Sequence, residues 1–281
     1  MRAAAYIRLL RPTQWVKNLI LFFPPFLAGE MFQPGIPERG VWPFIAFCLA
    51  SSSTYIVNDI LDCANDSNHP VKKTRPLPSG EVKVTVAAFF AFVFAAGAIT
   101  LSLKISTLFF VLLLAYLIIS SLYSFKFKEL PLVDICCISS GFLLRLQAGG
   151  EAFGIVISQW LFLSVFLLAI FLSTGKRYGE KKLLGETAGR HRKSLVVYPP
   201  GFLDGVLYLS GGAVLVTYTM YSLTRYPLVY TVPLCTFGLL RYLFRVKSGL
   251  DGDPTESLLK DFPLSLISLT WAIVVAWSIY S

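Results

Sequence analysis

Long apolar stretches alternate with short charged connections along the whole sequence. A helix that crosses a bilayer needs about 20 mostly apolar residues. Nine stretches meet or nearly meet that length, at roughly 16–33, 41–57, 84–103, 105–123, 131–150, 156–174, 203–223, 227–244 and 262–280. The pattern predicts an all-α integral membrane protein, with about nine transmembrane helices in a single domain over residues 1–281.

Two prolines, Pro24 and Pro25, interrupt the first stretch, which is therefore predicted to be a kinked helix. The apolar run that follows Arg11 and Lys17 lacks a small-residue cleavage site. We therefore expect this run to be retained in the bilayer rather than removed as a signal peptide.

Basic residues fix the expected orientation, because Lys and Arg near helix ends stay on the cytoplasmic side. The N-terminal segment and alternate connections carry 21 of the 25 Lys and Arg residues, whereas the opposite connections carry only Arg39, Lys104 and Arg225. We expect a multi-pass protein of the plasma or inner membrane, with a cytoplasmic N-terminus and with Ser281 outside.

Composition agrees with this topology, since 55% of residues are hydrophobic and the mean hydropathy is +0.66. Topology explains most of the net charge of +9, so we expect no nucleic-acid partner. Anionic membrane lipids and a phosphorylated substrate are the expected binding partners of the basic side chains. The cysteines show no CxxC spacing and predict neither a disulfide framework nor a zinc site; they are Cys48, Cys63, Cys136, Cys137 and Cys235.

Four polar residues end the second stretch at helical spacing, Asn58, Asp59, Asp62 and Asp66. The three carboxylates stand at positions i, i+3 and i+7, which share one face of a helix. Such hard oxygen ligands, completed by substrate phosphates, suit Mg²⁺. An ordinary solvated helix end is the alternative, but three aligned acids beside an asparagine favour a magnesium site, at which Mn²⁺ is an alternative ion.

A proline-rich loop follows the acids over residues 69–80 and carries Lys72, Lys73 and Arg75. Its three prolines and glycine predict a constrained loop rather than a helix. Arg grips phosphate with two hydrogen bonds and Lys acts as a point charge, so all three are candidate phosphate ligands. Retention of positive charge on the cytoplasmic side explains either lysine equally well, whereas Arg75 is the stronger candidate.

The next two cytoplasmic connections supply further candidate phosphate-binding residues. They are Tyr123, Lys126, Lys128, Asp134 and Arg145, followed by Lys176, Arg177 and Glu180. Asp134 and Arg145 are predicted to share a helix face. A structural ion pair is the alternative for Arg145, and an interfacial anchor is the alternative for Lys126. Residues 175–201 predict one or two amphipathic surface helices, and residues 252–261 predict a short capped helix with a structural role.

These motifs resemble the UbiA superfamily of intramembrane prenyltransferases, whose hallmark Asn-Asp-x-x-Asp-x-x-x-Asp is matched by Asn58, Asp59, Asp62 and Asp66. Within it, the chain is similar to the phosphoribosyltransferases that act on decaprenyl phosphate. That likeness runs over most of the sequence and includes Arg11, Pro12, Trp15, Lys17, Asn18, His69, Pro70, Lys72, Arg75, Pro76, Tyr123, Ser124, Lys128, Asp134, Arg145, Gly175, Lys176, Arg177, Glu180, Glu256, Leu258, Leu259 and Asp261.

The resemblance implies transfer of 5-phosphoribose from 5-phosphoribosyl 1-diphosphate to a polyprenyl phosphate such as decaprenyl phosphate. Pyrophosphate would be released, and the product would serve cell-wall arabinan and arabinogalactan synthesis. The resemblance implies that Asn58 and the three aspartates are catalytic, that the aspartates bind Mg²⁺, and that Lys17 joins the phosphate-binding residues. The isoprenoid length is left open, and so is assembly into a homo-oligomer.

The second cytoplasmic connection departs from the wider superfamily pattern. Members that ionise an isoprenyl diphosphate carry a second multi-aspartate cluster there, whereas this chain has Lys126, Lys128 and only Asp134. A basic second site suits an acceptor that brings its own phosphate. Two alternatives stay open: a UbiA-type prenyltransferase that moves an isoprenyl group to an aromatic or other acceptor, and a transporter, which would usually place its polar site near the midplane.

Overall fold

The structure, a computed structural model, describes residues 2–67, 71–185, 193–225, 228–250 and 252–281. Over these residues the fold is helical and contains no strand. Candidate loop residues His69 and Pro70, and the basic residues Arg190 and Arg192, lie outside the described residues.

Twelve α-helices are described, and four segments of 3₁₀ helix join them. The α-helices are α1 (Arg2–Leu10), α2 (Phe23–Ala28), α3 (Ile36–Ser67), α4 (Val84–Ile105), α5 (Thr107–Phe125), α6 (Val133–Phe153), α7 (Gln159–Leu184), α8 (Lys193–Val197), α9 (Phe202–Leu223), α10 (Val232–Lys247), α11 (Pro254–Lys260) and α12 (Phe262–Tyr280). The 3₁₀ segments are Pro12–Phe22, Lys72–Thr74, Phe127–Glu129 and Leu228–Thr231.

Six of the described helices are long and apolar enough to cross a membrane, namely α3, α4, α5, α7, α9 and α12. Helix α6 has 21 residues, a sufficient length, but it carries the charged residues Asp134, Arg145 and Glu151. Helix α10 has only 16 residues. The expected total of nine spans is therefore not confirmed.

The first apolar stretch is not the expected kinked α-helix, because it begins in a 3₁₀ helix that continues into the short α2. A left-handed Arg11, with φ of 51°, separates α1 from the 3₁₀ segment Pro12–Phe22, which runs into α2. Pro24 and Pro25 stand in the first turn of α2, where a missing N–H costs no helical hydrogen bond. Helix α6 packs closely on this segment, since a Cβ on Gly149 would lie 2.2 Å from the carbonyl oxygen of Leu21.

The expectation of amphipathic surface helices over residues 175–201 needs correction. Helix α7 continues without a break to Leu184, so Lys176, Arg177 and Glu180 belong to the end of a long helix. The later described residues of this connection, 193–201, contain the five-residue α8. The polar end of α7 is stable as a helix because its side chains find partners on α6 and on the segment before α11, as described below.

Candidate active site

Two of the acidic residues on α3 converge on a single nitrogen atom. Arg75 Nη1 donates hydrogen bonds to Asp59 Oδ1 at 3.1 Å and to Asp66 Oδ2 at 2.6 Å. The residues Asp59 and Asp66 are only 2% and 4% exposed. Two nearly buried carboxylates therefore share one cationic point, which offsets their mutual repulsion.

Further cations surround this pair. The guanidinium of Arg11 also binds Asp59 Oδ1, and it lies 5.3 Å from the centre of the Tyr55 ring. Lys72 Nζ lies 3.9 Å from Asp66 Oδ1. Arg11 comes from the N-terminal segment and Lys72 from the proline-rich loop, so three separate parts of the chain meet at this end of α3.

The third aspartate has a different partner. Lys128, in the second cytoplasmic connection, forms a salt bridge with Asp62 Oδ1. In the described residues, no group of three or more metal-ligating side chains is close enough to hold a metal ion. The structure thus replaces the expected three-carboxylate group by a convergent pair and a separate ion pair. Asn58, on the same helix, is half-buried.

The convergent pair fits a divalent cation. Mg²⁺ commonly takes one or two carboxylates and completes its shell with waters and substrate phosphates. Arg75 Nη1 lies where oxygens of Asp59 and Asp66 meet, so the structure itself shows that a positive charge is bound at that point. The donor set and its charge therefore suit Mg²⁺, provided that Arg75 yields the position.

A second network lies between α6 and α7 and is almost completely buried. Arg177 donates through Nε to Asp134 Oδ2 at 2.8 Å, through Nη2 to the Tyr123 hydroxyl at 3.1 Å, and through Nη1 to Glu180. Arg177 is 1% exposed and Asp134 is 0% exposed. These partners compensate the charge of Arg177, which indicates a structural contribution, and its contact with substrate stays a prediction.

Tyr198 completes this network and was missed by the sequence motifs. Its hydroxyl donates to Asp134 Oδ1 at 2.9 Å and accepts from the backbone N–H of Leu132 at 2.7 Å. Leu132 has a φ of 66°, a strained value for leucine, and Tyr198 fixes its amide. Burial chiefly, and the nearby carboxylate of Asp134, raise the pKa of Tyr198 above its ordinary value, so the phenol stays protonated. A lone tyrosine before two prolines gives no sequence signal for this role.

A third contact joins α7 to the segment before α11. Lys176 Nζ donates to Asp253 Oδ2 at 2.7 Å, while Asp253 Oδ1 caps α11 by accepting from the backbone N–H of Thr255 at 3.0 Å. The short capped helix is thus confirmed. Burial alone would raise the pKa of Asp253, but the ammonium groups of Lys176 and Lys17 outweigh it and hold that pKa below its usual range. The approach is tight, since a Cβ on Gly252 would lie 2.3 Å from the carbonyl oxygen of Gly175.

Arg145 lies deeper and has only neutral hydrogen-bond acceptors. It donates through Nε to Asn18 Oδ1 at 2.7 Å, through Nη1 to the Gly141 carbonyl at 2.9 Å, and through Nη2 to the Tyr116 hydroxyl at 2.9 Å. It is 4% exposed. Although Asp134 and Arg145 share α6, the structure gives them separate partners. Asn18 was noted only within the resemblance, and its fixed position beside Arg145 could not be read from the sequence.

The remaining candidates are peripheral. Lys73 and Lys126 are exposed, and no ion pair is described for either within the part of the chain that the structure covers. Lys17 is half-buried and lies within electrostatic range of Lys176, Asp253 and Arg145. The candidate residues therefore separate into an acidic cluster with its cations, a buried network around Arg177, and an inner pair formed by Lys17 and Arg145.

Comparison with known proteins gives one consistent result. Residues 22–269 match the model of the UbiA prenyltransferase family. The chain is 32% identical to decaprenyl-phosphate phosphoribosyltransferase of Mycolicibacterium smegmatis, over 98% of this chain and 92% of the relative. It is 33% identical to the protein of the same name from Mycobacterium tuberculosis, over 97% and 93%. A UbiA homolog from Archaeoglobus fulgidus, solved with GPP and Mg²⁺, superposes with a TM-score of 0.76 at 22% identity, covering 98% of this chain and 99% of the other.

Proposed function

This chain belongs to the UbiA prenyltransferase family, and we propose that it transfers 5-phosphoribose from 5-phosphoribosyl 1-diphosphate to decaprenyl phosphate or a similar polyprenyl phosphate. Similarity over nearly the full length to relatives named for that reaction supports the proposal. The observation that carries it is the salt bridge of Lys128 to Asp62, because a cation from the second cytoplasmic connection enters the acidic cluster. A cation in place of a second acidic cluster suits a reaction in which both substrates carry phosphate groups. The product would serve cell-wall arabinan synthesis.

The proposed reaction is a substitution at the anomeric carbon of the ribose. An oxygen of the lipid phosphate forms a bond to C1, and the bond from C1 to the diphosphate breaks. The diphosphate leaves with the electron pair as pyrophosphate. A phosphate monoester has a second pKa of about 6, so the acceptor is largely dianionic at neutral pH. It needs no strong general base.

The acidic cluster would bind the donor. Asp59 and Asp66 would hold Mg²⁺ with Asp62 nearby, and the ion would stabilise the negative charge that develops on the diphosphate. Arg75 and Arg11, which lie against these carboxylates, would then turn their guanidinium groups toward phosphate oxygens. The aspartates keep the two arginines positioned before the donor arrives, which reduces the cost of ordering them.

A direct assay tests the proposed reaction. Purified protein with Mg²⁺, phosphoribosyl diphosphate and decaprenyl phosphate should release pyrophosphate and form a phosphoribosylated lipid, detected by mass spectrometry of the lipid fraction. Geranyl or farnesyl diphosphate with 4-hydroxybenzoate should give no product. A prenylated aromatic product without any phosphoribosyl lipid would instead establish prenyl transfer, the reaction that the family's name describes.

The protein is a multi-pass membrane protein, and we propose that it lies in the plasma or inner membrane with its acidic cluster on the cytoplasmic side. The asymmetry of basic residues supports this orientation, because such residues resist translocation. Reporter fusions at the N-terminus and after Ser281 test it. The N-terminal reporter should be cytoplasmic and the C-terminal reporter outside, and a cytoplasmic Ser281 would contradict an odd number of spans.

A further inference from the structure

We propose that Lys17 and Arg145 form the binding site for the phosphate group of the lipid acceptor, separate from the Asp59–Asp66 pair that takes the metal and the donor diphosphate. The inference rests on the proposed function and assigns one group of cations to one substrate. Asn18 acts in it as a positioning residue, because it holds the guanidinium of Arg145 without neutralising it.

The surroundings of Arg145 and Lys17 leave their positive charge incompletely balanced. The described contacts of Arg145 are a side-chain amide, a backbone carbonyl, a tyrosine hydroxyl and aromatic rings, with no carboxylate among them. Lys17 makes no hydrogen bond or ion pair within the described residues. Asp253 lies within electrostatic range of Lys17, but its oxygens already bind Lys176 and cap α11. Arg145 is buried without a carboxylate, and the half-buried Lys17 shares Asp253 with Lys176, so the two cations are suited to receive a further anion.

Arg145 lies deeper along α3 than Asp59 does. Asn18 Nδ2 donates to Ser51 Oγ at 3.3 Å, which places Asn18 and the Arg145 guanidinium bound to it near the level of Ser51 on α3. Ser51 precedes Asp59 by eight residues, or about 12 Å along the helix axis. Subtracting a metal–oxygen bond of about 2.1 Å and a charge-assisted hydrogen bond of about 2.8 Å leaves about 7 Å. That space is of the right order for a ribose flanked by two phosphate oxygens.

The direction from which the acceptor must approach the ribose also favours the inner side of the site. The acceptor oxygen must approach C1 from the side opposite the leaving diphosphate. With the diphosphate at Asp59 and Asp66, the acceptor phosphate must lie beyond the ribose, on the inner side. The inner pair lies there, whereas Arg11, Arg75 and Lys72 lie on the side of the leaving group.

The surroundings favour a lipid over a free sugar phosphate. The guanidinium carbon of Arg145 lies 4.4 Å from the centre of the Tyr116 ring and 5.9 Å from the centres of the Phe47 and Phe142 rings. Leu146, the next residue on α6, is fully buried in an apolar cluster. Apolar surroundings of this kind suit a phosphate that carries an isoprenoid chain, whereas the hydroxyl groups of a second donor would lose hydration without replacement.

The first experiment compares Lys17→Met with the matched control Lys83→Met, which removes an exposed lysine at the start of α4. Metal-free binding of decaprenyl phosphate and of decaprenol is measured by intrinsic tryptophan fluorescence in nanodiscs. The wild type and Lys83→Met should prefer the phosphate, and Lys17→Met should lose about ten- to hundredfold of that preference, as expected for one charge-assisted contact. In turnover, its KM should rise for decaprenyl phosphate and change less than about twofold for phosphoribosyl diphosphate.

Several outcomes would overturn the assignment. A raised KM for phosphoribosyl diphosphate alone would give the pair to the donor's 5-phosphate. Unchanged values for both substrates would make the two cations structural. Displacement of decaprenyl phosphate by an equal concentration of inorganic phosphate would reveal a general anion site instead of a lipid site.

The second experiment uses Asn18→Asp, which places a carboxylate against Arg145 at nearly unchanged volume. If Arg145 only supports the fold, the new ion pair should leave binding intact. If Arg145 receives the lipid phosphate, Asn18→Asp should weaken that binding at least about tenfold while the unfolding temperature is kept or raised. Wild-type affinity in Asn18→Asp would contradict the inference.

These binding measurements also separate the inference from the proposed function. They need neither donor nor metal, so a wild type that binds decaprenyl phosphate through Lys17 but transfers no phosphoribose would refute only the proposed function. A wild type that transfers phosphoribose while Lys17→Met and Asn18→Asp bind lipid normally would refute only the inner-pair site.

Discussion

Replacing Arg75 with alanine removes the cation on which Asp59 and Asp66 converge. Both carboxylates are nearly buried, while the Arg75 side chain is 28% exposed. Arg11 still binds Asp59, and Lys72 remains 3.9 Å from Asp66. The variant therefore leaves two carboxylates with fewer partners but not without any. The loss of stability should lie between that of a fully buried ion pair and that of a surface ion pair.

Removing one partner of a fully buried ion pair costs about 3–5 kcal/mol, whereas a surface pair contributes less than about 1 kcal/mol. The partly exposed Arg75 and the two remaining cations place this site between those limits. We expect Arg75→Ala to lower the free energy of unfolding of the metal-free protein by about 1–3 kcal/mol. Arg8→Ala is the matched control, because its pair with Glu81 is exposed on both sides and should contribute little.

Magnesium should distinguish this origin of the effect from a simple loss of packing. Arg75 competes with a cation for the same point, so the variant should gain more stability from Mg²⁺ than the wild type does. Thermal unfolding in detergent, with a chelator and then with increasing Mg²⁺, measures both quantities. Equal Mg²⁺ dependence in the wild type and in Arg75→Ala would refute the conclusion that the two carboxylates form a cation site occupied by Arg75.

Three further variants test the other contacts. Asp59→Asn should abolish most turnover while the protein stays folded, as chelation should in the wild type, and normal turnover would show that Asp59 is only a structural partner of Arg11 and Arg75. Lys128→Ala should lower kcat/KM by about ten- to hundredfold through loss of one charge-assisted contact, and an unchanged value would remove Lys128 from the site. Asp134→Asn should lower the free energy of unfolding by about 3–5 kcal/mol, because it leaves Arg177 buried with less compensation; an unchanged unfolding temperature would contradict this.

Helical geometry explains how much of the acidic cluster the sequence could predict. With 3.6 residues per turn, Asp66 lies only about 20° around the helix axis from Asp59, while Asp62 lies about 60° from Asp59. The sequence therefore predicts a common face for all three. The sequence does not predict that Asp62, at about 60° from Asp59, pairs with Lys128 instead. That pairing depends on where the second cytoplasmic connection lies in the folded protein.

Other features depend on tertiary context from the start. No local signal indicates that Arg11 adopts a left-handed conformation or that Pro12–Phe22 forms a 3₁₀ helix. Close packing of this segment on Gly149 selects a path that places Asn18 beside Arg145. The apolar pattern and the prolines predicted a kinked helix here, but they carry no information about which side chains this segment would bring into contact.

Arg145 and Arg177 show why burial alone does not identify a ligand-binding charge. Both are almost completely buried, although the sequence predicted only Arg145 to lie within a membrane helix, where an ionisable group is costly and therefore a candidate for function. Arg177 faces Asp134 and Glu180, so its charge is balanced within the protein. Arg145 is held by neutral groups that fix its direction and leave its charge unbalanced. Binding of an anion therefore stabilises the surroundings of Arg145 more than those of Arg177. The number of carboxylates around each arginine, which is known only from the tertiary structure, distinguishes a structural arginine from one that is suited to bind phosphate.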